Sequence, residues 1–85
     1  MLGNGSIAPN VAFGLVLRRY RRAAGLTQEQ LSLESGVQRN FISLIETGQN
    51  QPTINTVFKL AAALSVLPSK LIQETESEGG GLGQV

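Results

Sequence analysis

Gln38, Arg39 and Asn40 stand together ahead of one short apolar run, and Ser43 lies within it, among Phe41, Ile42, Leu44 and Ile45. A guanidinium can bond two acceptors of one guanine, and an amide can bond both the donor and the acceptor of adenine, so this set suits the reading of base edges. The same set would also serve as a plain solubilising face. Other chemistry is poorly supplied. The chain has no cysteine and no histidine, which removes thiol nucleophiles, disulfides and the commonest general base and metal ligand. Three of the six acidic residues, Glu74, Glu76 and Glu78, fall in a glycine-rich tail. A catalytic site would have to use Glu29, Glu34, Glu46, lysines and hydroxyls, so no enzymatic activity, cofactor or metal is expected.

To present Gln38, Arg39, Asn40 and Ser43, the run must be a helix with Ile42 and Ile45 turned inward. The rest of the chain supplies elements to hold it. Residues 1–10 are rich in Gly, Asn, Ser and Pro and read as a flexible arm. A first helix is predicted over about Val11 to Ala24, where Phe13, Leu17, Tyr20 and Ala24 form one stripe. Gly25 stops it. Thr27 offers an N-cap hydroxyl and Gln30 completes a capping box for a second helix, Gln28 to Ser35. Leu31 is its core residue, with Leu33 a further candidate. Gly36 suits a left-handed turn into a third helix, about Arg39 to Thr47, closed by Gly48.

Gln49 to Pro52 reads as a loop. Thr53 caps a fourth helix, about Ile54 to Leu64, with Ile54, Val57, Phe58, Ala61 and Leu64 on its buried side. Pro68 suits the first turn of a fifth, about Pro68 to Glu74, and residues 75–85 read as a disordered acidic tail. No alternating run is long enough for a strand. The expectation is an all-α domain over residues 11–74, a compact five-helix unit. Its second and third helices form a helix-turn-helix through Leu31, Val37, Ile42 and Ile45, with the small Ser32 allowing close approach.

The net charge of +1 conceals a split. Residues 1–72 carry seven basic against three acidic side chains, 7 − 3 = +4, and the segment from Gln73 onward carries −3. A basic body fits a polyanion partner, although ordinary solvated surfaces are often similar. In the run Arg18 to Arg22, Tyr20 belongs to the core stripe, and Arg18, Arg19 and Arg22 read as solvated charges. No apolar run approaches the roughly 20 residues of a membrane span. The first ten residues lack the pattern of a secretory signal. A cytoplasmic, nucleoid-associated protein with no membrane partner is the expectation.

Several segments together resemble the phage-repressor or Xre-like helix-turn-helix family, the lambda-repressor-like DNA-binding domains. They are GLTQEQL (Gly25 to Leu31), SGV (Ser35 to Val37), FISLIETG (Phe41 to Gly48), QPT (Gln51 to Thr53) and KLAAAL (Lys59 to Leu64). The resemblance runs from Phe13 to Ile72. It implies that Gln38, Arg39, Asn40, Ser43 and Leu44 face bases, and that Gln28, with Thr27 beside it, binds a phosphate. It implies a second phosphate clamp at Gln49, Asn50, Gln51 and Thr53, formed by backbone N–H groups and side chains. It also implies a structural ion pair between Arg21 and Glu46. The chain departs from the family pattern in four places, one of them Gln38, a poorer N-cap than Ser or Asn. Leu44 stands where members often carry Arg or Gln, Gln49 where a basic residue is common, and Leu15 with Val16 where the first helix is often polar.

The implied function is sequence-specific DNA-binding transcriptional regulation, as a repressor or autoregulator, on double-stranded operator DNA. One helix contacts too few base pairs to be selective, so a homodimer is expected. Val66, Leu67, Leu71 and Ile72 are the candidate dimer surface. A tail this short cannot form a sensory domain, so regulation through protein concentration or a protein partner is expected. The alternatives are the antitoxin of a toxin–antitoxin pair, which would add a protein partner, and the controller of a restriction–modification system.

Overall fold

A computed structural model of the chain describes residues 7–79 as five helices, with no strand among them. They are α1 (Pro9–Ala23), α2 (Gln28–Ser35), α3 (Arg39–Glu46), α4 (Ile54–Ala63) and α5 (Pro68–Glu78). Residues 1–6 of the expected arm and 80–85 of the expected tail lie outside the described residues.

Local chemistry sets most of the boundaries. Thr27 Oγ1 accepts from Gln30 N at 3.0 Å, and Gln30 Oε1 accepts from Thr27 N at 2.8 Å, the reciprocal capping box expected at α2. Thr53 Oγ1 accepts from Thr56 N at 3.1 Å and starts α4 in the same way. Gly36 sits at φ 78° and closes α2 with its N–H on Ser32 O. Only a residue without Cβ adopts that conformation at little cost, which is why the α2–α3 turn is so short.

Two ends differ from expectation. α1 begins two residues early, because Pro9 enters its first turn and Asn10 is fixed by a bond from Nδ2 to Gly48 O at 2.9 Å. α5 runs on to Glu78, four residues into the segment read as a disordered tail. The reason is a set of partners on α1: Arg19 Nη2 meets Glu78 Oε1 at 2.6 Å, and Tyr20 donates to Glu74 Oε2 at 2.8 Å. The acidic charges at 74 and 78 therefore face α1, and Arg19, although 51% exposed, is ion-paired rather than free.

α1 packs on α3 and α5, α2 on α3 and α4, and α4 on α5. The shared core includes Phe13, Val16, Leu17, Leu31, Val37, Ile42, Ile45, Val57, Leu60, Ala61, Leu64 and Leu71. Val16 joins it, whereas Leu15 is exposed. α4 turns a different face inward from the one expected. Its stripe is Val57, Leu60, Ala61 and Leu64, and Ile54 and Phe58 are 69% and 57% exposed. Leu71 is a second correction: assigned above to a dimer surface, it has no exposure at all and belongs to the core. Val66 packs half-buried against that core, while Leu67 and Ile72 remain exposed. Beyond α5, Gly79 is buried, and a Cβ there would lie 3.5 Å from Ile7 O.

α1 crosses α3 at Gly14. A Cβ at that position would collide with Ile45 O and lie 2.9 Å from Glu46 O, both of them backbone atoms that cannot move independently. Mid-helix glycine costs about 0.5–1 kcal/mol in helix propensity, but here it allows the backbones to touch. Gly14→Ala is expected to lower stability by about 1–3 kcal/mol despite the better helix former, because it overpacks the crossing. Urea denaturation measures this, and an unchanged or raised midpoint would contradict it.

Candidate nucleic-acid interface

α3 is strongly two-sided. Ile42, Ile45 and Glu46 are buried, and Gln38, Arg39, Asn40 and Thr47 are exposed, with Ser43 and Leu44 half-buried between them. Among the described residues, the side chains of Gln38, Arg39, Asn40 and Ser43 make no hydrogen bond, so their donors and acceptors are open to a ligand. Gln38 does not use its side chain as an N-cap. A helix that projects an amide–guanidinium–amide triplet from its first turn has the shape and chemistry to enter a major groove.

The end of α3 is tied back on itself. Gly48 at φ 77° lets Gln49 N reach Leu44 O at 2.8 Å, and Asn50 N reaches the same oxygen at 3.2 Å. Thr47 Oγ1 donates to Ser43 O at 3.0 Å, and Gln49 Nε2 donates to Thr47 Oγ1 at 2.9 Å. This corrects one detail of the expected loop clamp. The backbone N–H groups of Gln49 and Asn50 are consumed closing α3 and cannot serve a phosphate. The N–H groups of Gln51 and Thr53 have no partner among the described residues, and the side chains of Gln49, Asn50, Gln51 and Thr53 lie in exposed positions. Thr27 is likewise exposed, but its hydroxyl and N–H are both engaged in the capping box.

Behind α3 lies a buried carboxylate. Glu46 Oε2 accepts from Arg21 Nε at 2.6 Å, and Oε1 accepts from Arg21 Nη2 at 2.9 Å and Gln28 Nε2 at 3.0 Å. Arg18 Nε adds a longer contact to Oε1 at 3.4 Å. Arg21 Nη1 also donates to Leu26 O at 2.8 Å, in the turn before α2. One bidentate pair thus joins α1, the α1–α2 turn and the end of α3. Gln28, expected to meet a phosphate, spends one amide proton on Glu46 and keeps its second.

Burial alone would push the Glu46 carboxyl up. The hydrogen bonds from Arg21 and Gln28, with the Arg21 and Arg18 guanidiniums, outweigh it and hold the group below the ordinary carboxylate range. Hydrogen bonding to Glu46 raises Arg21 in turn, against its own burial.

Sequence reasoning missed the Arg18 contact. Its signal was present: Arg18 and Arg21 are three apart on one helix, so they share a face and converge on one partner. The exposed pair Ile54 and Phe58 was missed for the opposite reason, since both were assigned to the core.

A helix-turn-helix family model matches residues 17–71, which takes in the second half of α1, all of α2 to α4 and the first turn of α5. The chain is 40% identical over 58 residues to an uncharacterized HTH-type transcriptional regulator, y4dJ, of Sinorhizobium fredii. That match spans 68% of this chain and 75% of the relative. It is 38% identical over 56 residues to the control protein C.SmaI of Serratia marcescens, spanning 66% of this chain and 67% of that protein. Its fold superposes on the crystal structure of the restriction-modification controller protein C.AhdI of Aeromonas hydrophila with a TM-score of 0.74. That match has 40% identity over 76% of this chain and 98% of that one.

The buried pair makes stability depend on acid in a defined direction. Glu46 has a lowered folded-state pKa, so its contribution is complete above the unfolded value of about 4.3 and is lost as pH falls through the folded value. Glu46→Gln should cost about 3–5 kcal/mol at neutral pH, because Arg21 is left buried without its counter-charge. That deficit should begin to shrink below about pH 4, as the unfolded carboxyl takes up its proton, and should vanish only below the lower folded value, where the parent carboxylate is itself protonated. Denaturant midpoints of both proteins between neutral and acid pH test this, and a deficit that stays constant would refute it.

Proposed function

This chain belongs to the helix-turn-helix family of DNA-binding transcriptional regulators, and from that premise we propose that it binds operator DNA as a homodimer and acts as a repressor or autoregulator. The observation that carries the reading is the split surface of α3. Its apolar side is fixed in the core by Ile42 and Ile45, and Gln38, Arg39, Asn40 and Ser43 have no competing partner within the described chain. Leu44 adds an apolar edge suited to a thymine methyl rather than to a hydrogen-bond acceptor. Gln28, with Thr27 beside it, and the loop of Gln49, Asn50, Gln51 and Thr53 flank α3 and supply phosphate contacts that set register without reading sequence. The site of action is the cytoplasm, at the nucleoid, and the chain works as a binding module rather than as an enzyme.

The homodimer reading rests on an apolar groove between α4 and α5. Ile54, Phe58 and Ile72 line it with Val57 and Pro68, and Phe58 and Ile72 are 57% and 48% exposed. A second copy of the same face would cover them, in a self-complementary two-fold contact. On this reading the dimer surface is made of Ile54, Phe58 and Ile72, with Leu67 exposed nearby in sequence, and not of the half-buried Val66 or the core residue Leu71. A dimer also resolves the limited reach of one helix, since two half-sites about 34 Å apart, or a multiple of it, double the number of bases read.

A narrower reading is the controller of a restriction–modification system. Similarity to two control proteins supports it, each matched at 38–40% identity. The antitoxin alternative would instead require a stable protein partner.

Selection of bound sequences from a random DNA pool is expected to return two half-sites related by a dyad. Arg39→Ala or Asn40→Ala should each cost about 1–3 kcal/mol and relax preference at one position of each half-site. Parent-like binding by both variants would remove α3 from the interface. Phe58→Glu should convert the dimer to a monomer in sedimentation analysis while the fold persists. A monomeric parent protein, or a dimer indifferent to that change, would move the contact elsewhere. Co-purification of a stoichiometric second protein would favour the antitoxin reading.

A further inference from the structure

We propose that Arg18 is a further phosphate-binding side chain, parked on the Glu46 carboxylate beside Gln28 and released to the DNA backbone on binding. The inference rests on the DNA-binding reading above and adds a contact residue to it.

The argument begins with the charge on Glu46. Arg21 alone neutralises it, through two bonds of 2.6 and 2.9 Å from a side chain only 10% exposed. Arg18 is then surplus: two guanidiniums face one carboxylate, and the cluster carries a net charge of 2 − 1 = +1. Its hold is also the weakest of the four hydrogen bonds on Glu46, one Nε–H at 3.4 Å. Hydrogen bonds of that length contribute little beside the short bidentate pair. The Arg18 side chain is 38% exposed, and its two terminal nitrogens have no partner among the described residues. A guanidinium has five N–H donors, so four remain free.

Position supplies the second part. Arg18 Nε and Gln28 Nε2 bond the same oxygen, Glu46 Oε1, at 3.4 and 3.0 Å. Their nitrogens therefore lie no more than 3.4 + 3.0 = 6.4 Å apart. Two hydrogen bonds of about 2.8 Å to neighbouring oxygens of one phosphate span such a gap. Glu46 can only accept, so it fixes the Gln28 amide with its nitrogen inward and one proton left to donate. Neighbouring Arg19 makes a useful contrast. It is held at 2.6 Å by Glu78 and at 3.4 Å by Glu74, on the side of α1 that packs on α5. Arg18 is the guanidinium whose strongest competitor is already satisfied.

The experiment measures binding of the full chain to a random-sequence duplex of about 30 base pairs across a salt series. Each phosphate neutralised contributes about 0.9 to the slope of log affinity against log salt. Arg18→Gln should lower that slope by about 0.9 per protomer, and Arg19→Gln should leave it unchanged. A residue that merely braces Glu46 would alter the melting temperature without altering the slope. A folded Arg18→Gln variant with the parental slope overturns the proposal. The unmodified protein gives an independent readout: the Arg18 Nε–H resonance should shift on addition of the same duplex, and a stationary resonance overturns the proposal even if the variant fails to fold. A parent protein that binds no duplex at all sinks the DNA-binding reading as well, whereas parental binding with an unchanged slope sinks this inference alone.

Discussion

The arrangement of this domain turns on one carboxylate at the end of α3. Glu46 is the last residue of α3, it is buried, and it accepts from Arg21 on α1 and Gln28 on α2. A charge so placed must be matched in position as well as in sign. Moving α3 far enough to break these bonds would leave a desolvated ion, which costs several kcal/mol. Apolar contacts alone tolerate such sliding better, because burial energy has no direction. The ion pair therefore fixes where α3 sits, while Ile42 and Ile45 supply most of the energy that keeps it there.

Gly14 makes that geometry possible. The backbones of α1 and α3 touch where Gly14 passes the carbonyls of Ile45 and Glu46. With the helices so close, the guanidinium of Arg21, two turns on along α1, reaches both carboxylate oxygens. A larger residue at 14 would lift α1 away and lengthen those bonds. The close crossing and the charge pair are thus two parts of one device. At the other end of α1, Asn10 performs a similar service by bonding Gly48 O, so the turn that closes α3 is also anchored.

Much of this was legible in the chain itself, for local reasons. The capping box at Thr27 and Gln30, the cap at Thr53 and the turn at Gly36 each depend on residues within a few positions. The α3 pattern is equally plain, since Ile42 and Ile45 fall on one side of a helix that begins with three polar groups. Other features were not legible. α4 carries apolar residues on more than one side, so Ile54 and Phe58 compete with Leu60 for the inward face, and periodicity cannot choose between them. The choice is made by α2 and α5, which are distant in sequence. α5 was cut short because Glu74 to Glu78 look like a solvated tail until Arg19 and Tyr20 are seen across the fold. The roles of individual side chains at the interface came from a resemblance rather than from spacing. The engagement of the Gln49 and Asn50 amides with Leu44 O could not be read from residue types at all.

The packing of Gly79 against Ile7 brings the two described ends of the polypeptide side by side. In topological terms the domain is nearly a closed loop. A bridge of a few residues between those ends would yield a cyclic backbone without moving any helix. Such a ring would leave the unfolded chain fewer arrangements, and the native state would gain by comparison. Cut points could then be opened in surface turns, giving circular permutants that retain the Glu46 cluster with a new order of segments.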